Sequence, residues 1–232
     1  MSNPDQPPKL AILMLDATAL TEPGAVANPD SFGVDVDYRV VAGATGSRIT
    51  GSTEDRRLLA DEYVRTAKLL VGEGATMLTT NCGFTIDYQD LIQRSTETPT
   101  VTSALLLLPV QKRVYGGALG LLTYDAEVLE DLTDESVSVD GIEMADVTDS
   151  AAWKALGDDG RPPVDVEAMR HDLVDVAVRL VVEHRLRALL LECTGFAPFT
   201  GDIEVATGVP VFDIVGVTRF LLALDRLGGD SA

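Results

Sequence analysis

The sequence contains an internal repeat centred on its only two cysteines, Cys82 and Cys193, which are 111 residues apart. Each cysteine lies in a hydrophobic segment, 75–84 or 187–196, and a proline follows each of them seventeen residues later. A chain that duplicates a strand–cysteine–helix–strand unit can place two thiols face to face across a pseudo-twofold axis. Chemistry on both sides of one carbon atom needs that arrangement.

Short apolar runs alternate with longer helical patterns along the whole chain. The runs at 10–15 and 118–123 are typical of buried parallel strands, one opening each half of the repeat. Strands that alternate with helices favour parallel sheets flanked by helices. We therefore predict an α/β fold of two pseudo-symmetric Rossmann-like lobes with parallel sheets, and an active site in the cleft between them.

The repeat also predicts where the lobes divide. The first α/β lobe would span residues 1–103 and be completed by a C-terminal helix at 214–232, and the second would span 104–213. The stretch 140–163 is charged and contains Gly and Pro, which predicts a surface loop or hairpin.

Both cysteines fall at the carboxyl ends of predicted strands, where open α/β sheets bind ligands. A thiol has an ordinary pKa near 8.5, so it can serve as an acid or base next to a carbonyl. The residues that follow, Gly83 and Phe84 in one motif and Thr194 and Gly195 in the other, can direct backbone N–H groups at a carboxylate or thiolate. Two thiols on opposite faces of one carbon predict a cofactor-free racemase or epimerase.

Acidic residues outnumber basic ones by 37 to 18, which gives a formal net charge of −19. They are spread along the chain, and only four of the basic residues are lysines. This composition is typical of halophilic proteins, because at molar salt the Debye length is only about 3 Å and self-repulsion is screened. A nucleic-acid partner is disfavoured, since no cluster of basic residues is present for phosphate contacts.

Other classes of protein lack support in the sequence. No run of about 18 apolar residues predicts a membrane helix, and the first nine residues lack the pattern of a secretory signal, so we expect a cytoplasmic protein. No motif for dinucleotides, for the phosphates of a nucleotide, or for a serine nucleophile is present. His171 and His184 have no metal-ligand spacing to a cysteine, so we expect no metal.

The motifs Thr-Asn-Cys-Gly-Phe at 80–84 and Glu-Cys-Thr-Gly at 192–195, on a duplicated α/β chain, resemble the aspartate/glutamate racemase superfamily. That superfamily also includes hydantoin racemases, maleate cis–trans isomerases and arylmalonate decarboxylases. The resemblance covers nearly the whole chain, including the loop 23–29. It implies that Cys82 and Cys193 form the acid/base pair, without a cofactor, and homodimers are common among its members.

The resemblance also implies a set of substrate-binding residues. Asp16 matches the position of an acidic residue near a substrate amine, and Thr123 a position that contacts a substrate carboxylate. The full implied set is Asp16, Asn81, Gly83, Phe84, Thr123, Thr194 and Gly195. The chain departs from the superfamily's amino-acid racemases, which have Asn-Thr where Gly83 and Phe84 stand. It also departs from the glutamate racemases, which have His where Gly195 stands.

These observations predict a cofactor-independent racemase or isomerase of a small carboxylate-bearing carbon acid, first of all an amino acid such as aspartate or glutamate. Three alternatives stay open. A maleate-type isomerase would use one cysteine to add to a double bond. A hydantoin racemase would use the same two thiols, and a ligand-binding relative would have kept the pocket without turnover.

Overall fold

The computed structural model describes residues 8–132, 137–157 and 164–229, with side chains described as far as residue 224 in the last helix. Within these ranges the chain forms two four-stranded parallel sheets. The first contains β1 (Lys9–Met14), β2 (Asp35–Val40), β3 (Met77–Thr80) and β4 (Thr100–Val101). The second contains β5 (Leu119–Thr123), β6 (Glu143–Asp146), β7 (Ala188–Leu191) and β8 (Val211–Phe212).

The two sheets repeat one topology. The first has the strand order β2-β1-β3-β4 and the second the order β6-β5-β7-β8, so β1 and β5 are equivalent, as are β3 and β7. The central strands β1 and β5 consist almost entirely of buried apolar residues, because helices cover both faces of the sheet. The predicted α/β class with two parallel-sheet lobes is confirmed.

Helices connect the strands. They are α1 (Gly46–Ile49), α2 (Thr53–Gly72), α3 (Gln89–Thr96), α4 (Leu108–Tyr115), α5 (Ala126–Leu132), α6 (Ala151–Gly157), α7 (Val166–His184), α8 (Thr200–Thr207) and α9 (Ile214–Gly229). The long helices α2 and α7 precede β3 and β7, and each begins at a polar cap. Ser52 forms a capping box with Asp55, and the Asp165 carboxylate accepts the N–H of Ala168. Each helix packs one apolar stripe on its sheet.

The prediction of a surface loop or hairpin at 140–163 was wrong. This stretch contains the edge strand β6, which pairs in parallel with β5, and the helix α6. Trp153 of α6 is fully buried, packs edge-on against Phe196 with ring centroids 4.7 Å apart, and donates its indole N–H to Met169 O at 3.0 Å. The residues of β6 are half-buried or exposed, as an edge strand allows, and therefore lack an apolar run. Residues 158–163 of this stretch lie outside the described ranges.

The first residues of α9 belong to the larger of the two hydrophobic cores. Ile214, Val215 and Val217 are buried in a cluster that includes residues of both sheets. The assignment of this helix to the first lobe, and the boundary near residue 103, stay predictions. In the described part of the chain, no helix has the length and apolar character to cross a bilayer.

The acidic composition leads to a prediction about salt. With a net charge of −19, we expect the thermal unfolding midpoint to rise by about 10 °C between 0.1 M and 3 M KCl, because salt screens the repulsion among surface carboxylates. Circular dichroism during heating measures this. Sucrose at matched osmolality is the control for solvent exclusion. An unfolding midpoint that does not change with KCl would contradict the halophilic interpretation.

Candidate active site

The two cysteines occupy the same position in the two lobes. Cys82 lies two residues beyond the end of β3, and Cys193 two residues beyond the end of β7. Each is the N-cap of a six-residue 3₁₀ helix, Gly83–Tyr88 in one lobe and Thr194–Phe199 in the other. Both side chains are free thiols and half-buried. The duplicated sequence therefore places two equivalent thiols at the carboxyl edges of the two sheets.

The first backbone N–H groups of each 3₁₀ helix lie near the thiol that precedes it. Those of Phe84 and Thr85 lower the pKa of Cys82, and those of Gly195 and Phe196 lower the pKa of Cys193. The N–H groups of Thr85 and Phe196 also donate to the carbonyl oxygens of Cys82 and Cys193, at 3.2 and 3.0 Å. Burial has the larger effect. It raises the pKa of Cys82 to about 12 and that of Cys193 well above its usual value. Both thiols are therefore protonated at neutral pH, and the nearby backbone N–H groups favour the thiolate form when a proton is removed.

The cysteines face a cavity of about 270 Å³ between the lobes. Its walls are mostly apolar, and no lysine or arginine is among the described residues that line it. The lining residues are Leu15, Ala17, Thr18, Ala19, Leu20, Ala25, Val26, Ala27, Gly46, Ser47, Ile49, Thr50, Asn81, Cys82, Gly83, Phe84, Tyr124, Leu156, Glu192, Cys193, Thr194 and Gly195. The site therefore suits a small molecule with apolar parts.

Glu192 is a buried carboxyl group between the two thiol motifs. Only 1% of its surface is exposed, and its Oε2 accepts the Thr123 hydroxyl at 2.8 Å and the Tyr124 N–H at 3.3 Å. Burial raises the pKa of this carboxyl to about 7, against the lowering effect of the two hydrogen bonds. The charge of Glu192 raises the pKa of both Cys82 and Cys193, second only to burial, so the carboxyl is close to both thiols.

The two motifs contact each other directly at the floor of the cleft. A Cβ on Gly83 would lie 2.1 Å from Glu192 Oε1 and 2.2 Å from its carbonyl oxygen, so only glycine allows this approach. The Thr194 hydroxyl donates a hydrogen bond to the carbonyl oxygen of Asn81, 113 residues away in sequence. These contacts join the segments 81–83 and 192–194, which we call the seam.

The seam predicts a large effect for Gly83→Ala. We expect a loss of about 3 kcal/mol in the free energy of unfolding, at the upper end of overpacking costs, because the added carbon meets backbone as well as side chain. Chemical denaturation measures it. Gly201→Ala is the matched control: nothing lies within 4 Å of its Cβ position in α8, and we expect it to be neutral or stabilising. Equal effects of the two substitutions would refute the close approach.

The structure brings together five of the seven substrate-binding residues that the resemblance implied. Those that line the cavity are Asn81, Gly83, Phe84, Thr194 and Gly195. Asp16 and Thr123 do not line it. The Asp16 side chain is exposed, and Thr123 is fully buried with its hydroxyl on Glu192. The Asn81 amide oxygen accepts the Leu15 N–H at 2.7 Å and so ties β3 to the end of β1.

Sequence reasoning missed five lining residues with polar side chains, namely Thr18, Ser47, Thr50, Tyr124 and Glu192. Glu192 had a signal, because it is a single carboxyl at the end of the apolar run 188–191, next to a cysteine. Tyr124 had none, since it simply follows β5. No cluster of residues that could hold a metal ion is found in the described ranges.

Solved structures with this architecture are known. An unliganded arylmalonate decarboxylase superposes with a TM-score of 0.59 at 18% identity, covering 96% of this chain and 94% of that one. Allantoin racemase from Pseudomonas fluorescens gives a TM-score of 0.67 at 16% identity, with 95% and 92% covered. A putative Asp/Glu racemase from Yersinia pestis gives 0.58 at 14% identity, with 94% and 99% covered. The fold is thus that of the aspartate/glutamate racemase superfamily, which confirms the predicted resemblance at the level of the fold.

Curated relatives identify the enzyme family of the chain more closely than its fold does. Dimethylsulfoniopropionate lyase 7 of Emiliania huxleyi is 31% identical over 233 residues, which cover 94% of this chain and 67% of the relative. The dimethylsulfoniopropionate lyase of Durusdinium sp. clade D is 28% identical over 224 residues, covering 92% and 73%. The chain belongs to the dimethylsulfoniopropionate lyase family and is an enzyme. No family model matches the sequence.

Proposed function

We propose that this enzyme cleaves dimethylsulfoniopropionate by β-elimination, with one cysteine thiolate as the base. The observation that carries the proposal is the pair of thiols, each at the start of a 3₁₀ helix whose first N–H groups lower its pKa, in an apolar cleft of a chain related to dimethylsulfoniopropionate lyases. A thiolate with a raised pKa is a strong base once formed, as removal of a proton next to a carboxylate requires.

The elimination balances without a cofactor. The thiolate takes the proton from the carbon next to the carboxylate, and the electrons of that C–H bond form a C=C bond. The C–S bond to the β-carbon breaks, and its electrons leave with sulfur, so that the sulfonium departs as neutral dimethyl sulfide. Acrylate is the second product. The thiol then gives its proton to solvent before the next turnover.

The cleft must hold the substrate carboxylate without a basic side chain, because the described lining contains none. Hydroxyl groups that can donate there are those of Thr18, in the loop after β1, and Ser47, in α1. The Thr50 hydroxyl, which also lines the cavity, already donates to the carbonyl oxygen of Gly46 at 3.1 Å. Backbone N–H groups of the two motifs add further donors. The apolar walls exclude water, which strengthens these hydrogen bonds.

The test is direct. Purified enzyme is incubated with dimethylsulfoniopropionate in molar KCl, dimethyl sulfide is measured by gas chromatography of the headspace, and acrylate by proton NMR. We expect both products in equal amounts, in proportion to the enzyme. Heat-unfolded enzyme is the control. Folded enzyme that releases no dimethyl sulfide above this control would refute the proposal.

A second candidate is racemisation of a small amino acid such as aspartate or glutamate, as the two-thiol pattern predicted. The observation that favours it is that the two thiols have equivalent surroundings: burial and Glu192 raise the pKa of each, and backbone N–H groups lower it. An elimination from one face would need only one base. Loss of the α-proton signal of either amino acid in deuterium oxide, with inversion seen by chiral chromatography, would support racemisation. A 5-substituted hydantoin and maleate complete the panel.

Two further expectations belong with this proposal, a homodimer and a cytoplasmic location. Sedimentation velocity at high salt measures the mass of the particle, and a mass near twice that of the 24.7 kDa chain would support the dimer.

A further inference from the structure

Glu192 has no counter-ion in the described part of the cleft. The other ionisable residues among those that line the cavity are Cys82, Cys193 and Tyr124, all neutral in their ordinary protonated forms. A buried carboxylate without a cationic partner is costly, because burial removes it from water and nothing nearby offsets its charge. The cavity therefore has a place for a positive charge that the described lining does not fill.

The carboxyl group is hydrogen-bonded on one oxygen and closely packed on the other. Both of its hydrogen bonds, from the Thr123 hydroxyl and the Tyr124 N–H, use Oε2. The other oxygen, Oε1, lies against Gly83, which itself lines the cavity between the two thiol motifs. Thr123 and Gly83 thus contact different oxygens of the Glu192 carboxyl group.

We propose that Glu192 is a specificity-determining residue that pairs with an alkylated cationic group of the substrate, a sulfonium or a quaternary ammonium. This inference rests on the proposed function and states which part of the substrate the enzyme recognises. Alkyl groups on the cation match the apolar walls, which include Leu15, Leu20 and Ile49. Two aromatic residues, Phe84 and Tyr124, also line the cavity, and aromatic faces attract such cations.

The pairing also couples recognition to chemistry. The negative charge of Glu192 holds the pKa of both thiols up, so a cation bound beside the carboxylate offsets that effect. A thiolate then forms more readily when a cationic substrate is present than when the cleft is empty. The substrate therefore helps to activate its own base.

Two ligands of the same shape test the inference without any turnover. 3-(Trimethylammonio)propionate carries the cation, and 4,4-dimethylpentanoate replaces its nitrogen by carbon. We expect titration calorimetry at pH 8 to show that the wild-type enzyme binds the cationic ligand at least about tenfold more tightly. In Glu192→Gln this preference should fall below about twofold, through weaker binding of the cationic ligand alone.

Glu127→Gln is the matched control, because it removes the same charge from an exposed position in the first turn of α5. It should leave the preference unchanged, which separates pairing in the cleft from attraction by the net charge. Glu192→Asp keeps the charge and should keep part of the preference.

Wild-type enzyme that binds both ligands equally, or neither, would overturn the inference, as would equal losses for both ligands in Glu192→Gln. The dimethyl sulfide assay tests the proposed function independently of this binding experiment. An enzyme without lyase activity that still shows the Glu192-dependent preference would refute the proposed function and keep this inference.

Discussion

Replacing Cys82 or Cys193 by serine should reduce turnover sharply, and the pattern of the two losses should identify the reaction. A serine hydroxyl fits the same space but is a far weaker acid than a thiol, so it cannot supply the base. We expect the residue that removes the proton to lose at least about 10³-fold in kcat/KM when replaced. In an elimination, the other cysteine should lose less, about 10- to 100-fold.

Equal losses of at least about 10³-fold for both cysteines would instead support racemisation, in which each thiol acts in turn. Rates with dimethylsulfoniopropionate and amino-acid substrates measure this. Thermal unfolding of each variant is the control, since a serine variant that melts near the wild type has lost chemistry and not structure. If both serine variants kept more than half of the wild-type rate, neither thiol would be the base.

Glu192→Gln should make the protein more stable at pH 8. The pKa of Glu192 is raised from 4.5 to about 7 in the folded protein, so the folded state holds this proton more tightly than the unfolded state. The stability that the group contributes is full below pH 4.5 and is lost as the pH rises to 7 and above. A pKa shift of that size lowers the free energy of unfolding of the wild type by about 3 kcal/mol at pH 8. Glutamine has no charge at this pH, so the variant does not suffer this loss.

Guanidinium denaturation at pH 8 and at pH 4.5 in the same salt measures the difference in the free energy of unfolding between Glu192→Gln and wild type. The variant should be more stable than wild type at pH 8. The two should differ little at pH 4.5, where the wild-type carboxyl is protonated in the folded state. The control Glu127→Gln, at an exposed position, should change the free energy of unfolding by less than about 0.5 kcal/mol at either pH. A Glu192→Gln variant less stable than wild type at pH 8 would contradict the buried, unpaired charge.

A stability gain combined with lost recognition would explain why the carboxyl is there. Residues that destabilise a fold but serve its site are a common trade-off in enzymes. Two further residues accommodate Glu192 in this position. Thr123 donates a hydrogen bond to its carboxyl group, and Gly83 has no side chain to occupy the same space.

The local signals in the sequence were sufficient for every strand of the two sheets except β6, and for the positions of the thiols. Apolar runs predict buried parallel strands, and the repeat places Cys82 and Cys193 at equivalent strand ends, as the structure shows. β6 and α6 were missed because an edge strand needs no apolar run, and because the burial of Trp153 depends on contacts with Met169 and Phe196.

The role of Glu192 could not be predicted from its own half of the chain. Its position is fixed partly by Gly83, which is 109 residues earlier in sequence and meets it only after both lobes have formed. Asp16 shows a different limit of prediction from sequence. It follows β1 at the correct sheet edge, yet its side chain points to solvent, because strand position fixes the edge and not the direction of a loop side chain.

The seam at the floor of the cleft constrains how the two halves of such a chain can diverge. Gly83 in one half has no room for a side chain because Glu192 of the other half occupies the space, and Thr194 is bonded across to Asn81. A chimera that joins the first half of one relative to the second half of another should therefore fold only if it inherits compatible residues on both sides of this contact. The two halves share one topology, but the contact between Gly83 and Glu192 ties a substitution in one half to the residues of the other.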